Sequence, residues 1–186
     1  MERIQYKQAE TIEELEQILS LQTRNLRNAL SPDLKKSEGF LTVKHDMELL
    51  KDMNSKCPHI IAIHDKKVIG YALSMHPDFA QSIDILKPLF ELVSKQVPRG
   101  INYIVMGQIC IDKAFRKQGV FKGLYNFMKS QLMDDFDWII TEVDKQNQRS
   151  LEAHLNTGFK PIIEHRSNQR DWMMIYLPTQ FRNSIV

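Results

Sequence analysis

Arg116-Lys117-Gln118-Gly119-Val120-Phe121-Lys122-Gly123 is the stretch of the chain best suited to chemistry. A glycine at such a place lets the backbone come close to a phosphate, and the first open N–H groups of a following helix would point at it. Arg116, Lys117 and Lys122 add positive charge. Residues 113–122 carry four basic side chains and no acidic one, which suits a small anionic ligand such as a pyrophosphate. The run matches neither GxxxxGK[ST] nor GxGxxG, so a P-loop and a dinucleotide fingerprint are both excluded. Taken alone, RxxGxxxG describes a capped helix with surface charges equally well. A second cluster lies downstream: Asn147 precedes a short helical pattern, His154 sits within it, and Gly158-Phe159 end it. Cys110 is a candidate nucleophile by residue type. No histidine lies near it in sequence, however, and a strand-borne cysteine is usually buried and inert.

These residues need elements to hold them. Residues 103–111 are the most strand-like segment, and Gly107 within it predicts a bulge or a close backbone approach. Residues 112–118 form a polar, basic loop. Val120, Leu124, Phe127, Met128 and Leu132 then mark an amphipathic helix. A strand at 138–143, a short helix at 150–157 ended by Gly158, and a closing strand at 170–177 follow. Upstream, residues 4–8 read as a first strand. Thr11 and Glu14 fit a capping box that starts a helix running to about residue 27. Residues 31–39 read as a loop and 45–53 as a second helix. Strands at 60–64 and 68–74 flank Asp65-Lys66-Lys67 as a hairpin. Residues 75–100 form an insert with a helix at about 82–95. The predicted order, β-α-α-β-β-(insert)-β-α-β-α-β, is an α/β fold: an α+β sandwich with a central mixed sheet and helices on both faces.

With 186 residues, 42% apolar and 26% charged, the chain reads as one globular domain over 1–186, with its helical insert at about 75–100. The longest apolar run, Ile60-Ile61-Ala62-Ile63, is too short to span a bilayer, and the first residues lack the apolar core of a signal peptide. Two cysteines without a CxxC argue against a disulfide framework or a metal site. A cytoplasmic location is expected on that ground. The net charge of +2, from 25 basic and 23 acidic residues, is too balanced for a dedicated nucleic-acid binder.

In Arg116 to Phe121 the chain resembles the GNAT superfamily of N-acetyltransferases, whose pyrophosphate loop reads [QR]xxGx[GA] after the fourth strand. Asn147 to Phe159 is similar to the same family's Asn, short helix and terminal Gly-Phe after the fifth strand. The hairpin with Val68-Ile69-Gly70-Tyr71 looks like the family's second and third strands. The resemblance implies a mostly antiparallel mixed sheet and acetyl-CoA as cosubstrate, with no metal. It implies that the cofactor is held by Ile109, Ile111, Arg116, Lys117, Gln118, Gly119, Val120, Phe121, Lys122, Gly123 and Asn147. Two positions depart from the family pattern. Phe121 stands where a small residue is usual, and His154 stands where the family often has a general-acid tyrosine.

The mechanism so implied is acetyl transfer to a primary amine of a small molecule or peptide, by direct attack in a ternary complex. The pantetheine would lie along the fourth strand near Ile109 and Ile111, as an added strand does. A backbone N–H near Ile109 would polarise the thioester carbonyl. The thiolate would take a proton from His154, as an imidazolium of ordinary pKa, or from water. The amine must lose a proton first. Glu142, Asp112, His76 and Gln108 through a water are the candidate bases, and Glu142 is the one chosen. The expected partners are acetyl-CoA and the amine, with no nucleic acid or membrane, and a homodimer as the oligomer to test. The alternative is a non-catalytic acyl-CoA-binding or sensor domain of the same fold.

Overall fold

A computed structural model of the chain describes residues 3–26, 41, 43–81 and 87–180. The expected loop at 31–39 and the expected start of the insert helix at residue 82 lie outside the described residues. Seven strands, β1 (Gln5–Gln8), β2 (Ile60–His64), β3 (Lys67–Met75), β4 (Tyr103–Ile111), β5 (Trp138–Asp144), β6 (Lys160–Ser167) and β7 (Arg170–Pro178), form one sheet. Their order is β1-β2-β3-β4-β5-β7-β6, and only β4 and β5 run parallel. Among the described residues five helices flank it: α1 (Ile12–Asn25), α2 (Met47–Lys56), α3 (Lys87–Gln96), α4 (Val120–Leu132) and α5 (Gln148–Thr157).

Local chemistry accounts for the ends of these elements. Thr11 accepts from Glu14 N–H, and the Glu14 carboxylate accepts from Thr11 N–H, so the expected capping box starts α1. Such a cap contributes about 1 kcal/mol. Asp46 caps α2 through Leu49 N–H, two residues later than the sequence suggested. Asp65 and Lys66 both adopt positive φ, the geometry of a two-residue hairpin turn.

Residues on alternate sides of the strands feed two cores. Leu15, Ile18 and Leu21 of α1, Leu50 and Met53 of α2, and Leu89, Phe90 and Val93 of α3 pack with Tyr71, Leu73 and Met75 of β3. Leu124, Tyr125 and Met128 of α4 pack with Ala72, Ile104 and Ile139 on the other face. Each fully buried Leu, Ile or Met contributes roughly 1.5–3 kcal/mol before its entropy cost.

One strand is missing from the sequence reading. β6 contains Pro161 and alternates charged residues along a half-exposed edge. An edge strand needs hydrogen bonds on one side only, so it tolerates proline and charge that would argue against an inner strand. Its hairpin to β7 turns on Asn168-Gln169, both at positive φ. Among the described residues no helix is long and apolar enough to cross a membrane.

Candidate active site

β4 and β5 pair only through Tyr103–Val105 and Trp138–Ile140. Beyond that point β5 continues against β7, and β4 carries an extra residue at Gly107, where its register with β3 shifts. The bulge foreseen at Gly107 is present. From Met106 onward the β5-facing edge of β4 has no strand partner among the described residues. The resulting wedge is a gap of about 80 Å³ walled by Gly107 and Ile109 on one side and Thr141 and Glu142 on the other. It shares walls with two larger cavities. A cleft of about 310 Å³ holds Ile109, Ile111, Gly119 and Asn147. A pocket of about 250 Å³ holds Met75, Leu89, Glu142 and His165.

The larger cleft ends at the start of α4. Lys117 and Gly119 take left-handed backbone conformations, with φ of 62° and 80°. No side chain among the described residues caps the helix, so its first N–H groups are open to a ligand. A Cβ built on Gly119 would meet nothing within 4 Å, so the backbone there faces open space. Arg116 works partly inside the fold. Its Nε donates to the Ile111 carbonyl (3.1 Å) and its Nη2 to Asn25 Oδ1 (2.7 Å), tying the loop to β4 and to the end of α1.

Of the residues expected to hold the cofactor, Ile109, Ile111, Arg116, Lys117, Gly119, Val120, Phe121 and Asn147 line this cleft. Gln118 and Lys122 are exposed beside it, and the Gln118 amide donates back to the Ala114 carbonyl. Gly123 needs correction. Its N–H is already bonded to the Gly119 carbonyl, and its Cα faces the Tyr6 ring, where any Cβ would collide. It is small so that α4 can approach β1, not so that a phosphate can approach α4.

Phe121 turns its ring edge-on to His154 (4.9 Å between centroids) and Tyr125 (5.1 Å), which leaves the loop backbone uncovered. His154 is buried. The Tyr125 hydroxyl donates to its Nε2 (2.8 Å), so Nδ1 carries the proton and donates to the Ser150 carbonyl (2.7 Å). Burial pushes its pKa down to about 4. The ordinary imidazolium expected from the sequence is therefore not present near neutral pH. Asn147 caps α5 by accepting from Ser150 N–H.

Among the candidate bases, only Glu142 and Gln108 stand at the gap. Gln108 is fully engaged: its carbonyl accepts from Tyr71 Oη (2.6 Å) and Gln22 Nε2 (3.0 Å), and its amide donates to the Val43 carbonyl. Asp112 caps the turn after β4 and pairs with Arg24. His76 pairs with Asp78 and lines a different cavity. Glu142 Oε2 accepts from His165 Nε2 at 3.0 Å, and both side chains are about five-sixths buried, with 16% and 15% exposed. Cys110 is buried, and its thiol is pushed up to about 12 chiefly by that burial, so it is no thiolate.

Sequence reasoning missed His165 and Trp172, which face each other across β6 and β7 and help wall the pocket that also holds Glu142. The signal was the Ser167-Asn168-Gln169-Arg170 hairpin turn.

The model of the acetyltransferase (GNAT) family matches residues 15–159. The chain belongs to the GNAT acetyltransferase family. GNAT structures share its fold over nearly the whole chain. The ribosomal-protein-S18-alanine N-acetyltransferase from Escherichia coli aligns with a TM-score of 0.67 at 11% identity, covering 99% of each chain. A chain of the NatC complex bound to Gag peptide and CoA gives 0.65 at 16% identity, covering 95% of this chain and 99% of that one. The yncA protein from Salmonella typhimurium, with its cofactor acetyl-CoA, gives 0.63 at 12% identity, covering 96% and 95%. No curated protein matches the chain in sequence.

Proposed function

We propose that this GNAT member transfers the acetyl group of acetyl-CoA to a primary amine by direct attack. The observation that carries this reading is the unpaired edge of β4, which leads from the open start of α4 to the Glu142 carboxylate. The residues suit the cofactor: the helix amides and Lys117 stand at the end of the cleft, where they would meet a pyrophosphate, and the β4 edge offers peptide groups to an amide-bearing arm. Acetyl-CoA supplies an acyl thioester, already activated for attack by nitrogen. Ile109 lies in both the cleft and the gap, so its backbone is the candidate donor to the carbonyl oxygen.

Glu142 is the proposed base. Its carboxylate takes one proton from the bound ammonium, which leaves a neutral amine. The C–N bond forms as the C–S bond breaks, and the second proton of the attacking nitrogen passes through water to the departing thiolate, leaving the amide and the CoA thiol. His154 is neutral, with both ring nitrogens engaged, and serves to lock α5 against Tyr125.

The same buried imidazole favours a second reading, an acyl-CoA-binding domain without turnover. Two measurements separate them. Calorimetry with CoA tests binding, and amine-dependent thiol release from acetyl-CoA tests transfer. Micromolar CoA binding with no release for any primary amine would leave only the second reading.

A further inference from the structure

The pocket beyond Glu142 has two unlike ends. Val43, Met75, Leu89, Met106 and Trp172 make an apolar wall, with Met75 and Leu89 almost wholly buried. Thr141, Glu142, His165, Ser167, Asn168 and Arg170 supply the polar lining. Glu142 is the only carboxylate among the described lining residues. Arg170 is a fixed cation there, 3.7 Å from the buried Asp144 carboxylate.

We infer that the acceptor is a monocationic primary amine bearing one apolar group. The inference rests on the amine-transfer reading above. One carboxylate balances one ammonium. A second ammonium on the same molecule would meet the Arg170 guanidinium, and the one carboxylate beside it, Asp144, is already paired with that guanidinium, so the second charge is left without a counter-ion of its own. The apolar wall rewards an alkyl or aromatic substituent, and a contact of one or two methylenes is worth about 10- to 200-fold in specificity. A polar sugar amine would set part of its hydroxyl-bearing surface against Val43, Met75 and Leu89, and the hydroxyls on that wall would go unpaired. A pocket of about 250 Å³ has room for one such substituent. The amine is either a free small molecule or the first residue of a peptide, since both present this chemistry.

The test uses the full chain, acetyl-CoA, and release of CoA thiol. The probes are 2-phenylethylamine, a tripeptide starting with leucine, spermidine and kanamycin. The apolar amines should exceed spermidine and kanamycin by at least tenfold in kcat/KM. A clear lead for phenylethylamine identifies a free amine, and a clear lead for the tripeptide identifies a peptide N-terminus. Equal or greater turnover of spermidine or kanamycin overturns this inference while leaving amine transfer standing. CoA binding with no turnover of any of the four overturns amine transfer itself.

Val43→Asp adds a carboxylate on the half-exposed part of the wall, and Leu89→Ala removes apolar contact. Val43→Asp should narrow the preference by roughly tenfold or more, with CoA affinity unchanged as the check on folding. Leu89→Ala should lower kcat/KM for the apolar amines alone. Unchanged selectivity in both variants would also overturn the inference.

Discussion

The two sides of the wedge between β4 and β5 are built differently. The cleft proposed for the cofactor is lined mainly by one continuous stretch, from β4 through the loop to the start of α4, with Asn25, Leu41 and residues from Asn147 to Ala153 closing it. Its working groups are mostly backbone: a strand edge and a helix start. The pocket proposed for the acceptor is assembled from Val43, Met75, Leu89, Glu142, His165 and Trp172, which are far apart in sequence and present side chains to it. Backbone donors serve any acyl-CoA and change little with side-chain identity. Side chains select the acceptor. Substitutions should therefore divide: those on one side move CoA binding, and those on the other move amine turnover.

The largest break is expected at the boundary. Glu142→Gln keeps the shape and removes the proposed base. It should lower kcat/KM for the amine by about 10²–10⁴-fold and leave the CoA dissociation constant within about twofold. Steady-state kinetics and calorimetry on the same preparation check both halves. Wild-type turnover in the variant would remove Glu142 from the reaction.

Gly119→Val should break the other side, through CoA affinity. The site has φ of 80° and faces open space, so the variant is strained and also fills the approach to the helix amides. A β-branched residue in the left-handed region costs about 1–2 kcal/mol. We expect roughly 10- to 100-fold weaker CoA binding by calorimetry. Unchanged affinity would place the pyrophosphate elsewhere.

The same division governs how much was legible in the sequence. β4 and α4 were expected at 103–111 and from Val120 to Leu132, and they are found there, because their apolar periods are strong and local. The Gly107 bulge was legible for the same reason. β6 was not, since Pro161 and the charges beside it obey the rules of an edge. His165 went unseen with it. Gly123 was misread because spacing says that two glycines lie four apart, not which way each one faces; Tyr6, more than a hundred residues away, decides that. His154 was placed by motif spacing, but its charge state depends on burial beneath Tyr125 and Phe121, which spacing does not encode.

A smaller effect sharpens the acceptor side. The His165–Glu142 hydrogen bond spans β7, reaching from β6 to β5 across two strand spacings, about 10 Å. It holds one carboxylate oxygen, and Oε1 has no hydrogen-bond partner among the described residues. His165→Ala should lower kcat for the amine by about tenfold without moving CoA affinity, because the carboxylate loses its aim. His165→Gln, which can still donate, should recover most of the rate. Equal losses in both variants, accompanied by equal losses in melting temperature, would reduce the pair to a strand tie.

The smallest catalytic effect is expected at His154, and it separates rate from stability. Its pKa is about 4 in the fold, below the ordinary 6.5. As pH falls from about 6.5 the unfolded chain binds the proton first, so the native state loses stability, and the loss levels off near pH 4. Between pH 7 and pH 5 this amounts to about 2 kcal/mol at most for one such group. His45, at about 4, and His59, at about 3, add to the same trend. His154→Gln removes one of the three titrations. Denaturant unfolding should then show a drop between pH 7 and pH 5 that is smaller than wild type by about that amount. The rate should answer differently. An imidazole that stays neutral above pH 5 contributes no limb to the pH–rate profile near neutrality. The wild type and His154→Gln should therefore give profiles of the same shape from pH 6 to 9, with kcat lowered by less than about tenfold, well short of a lost general acid. An alkaline limb that vanishes in the variant would instead make His154 the donor to the thiolate, raised from its buried pKa only when the cofactor is bound.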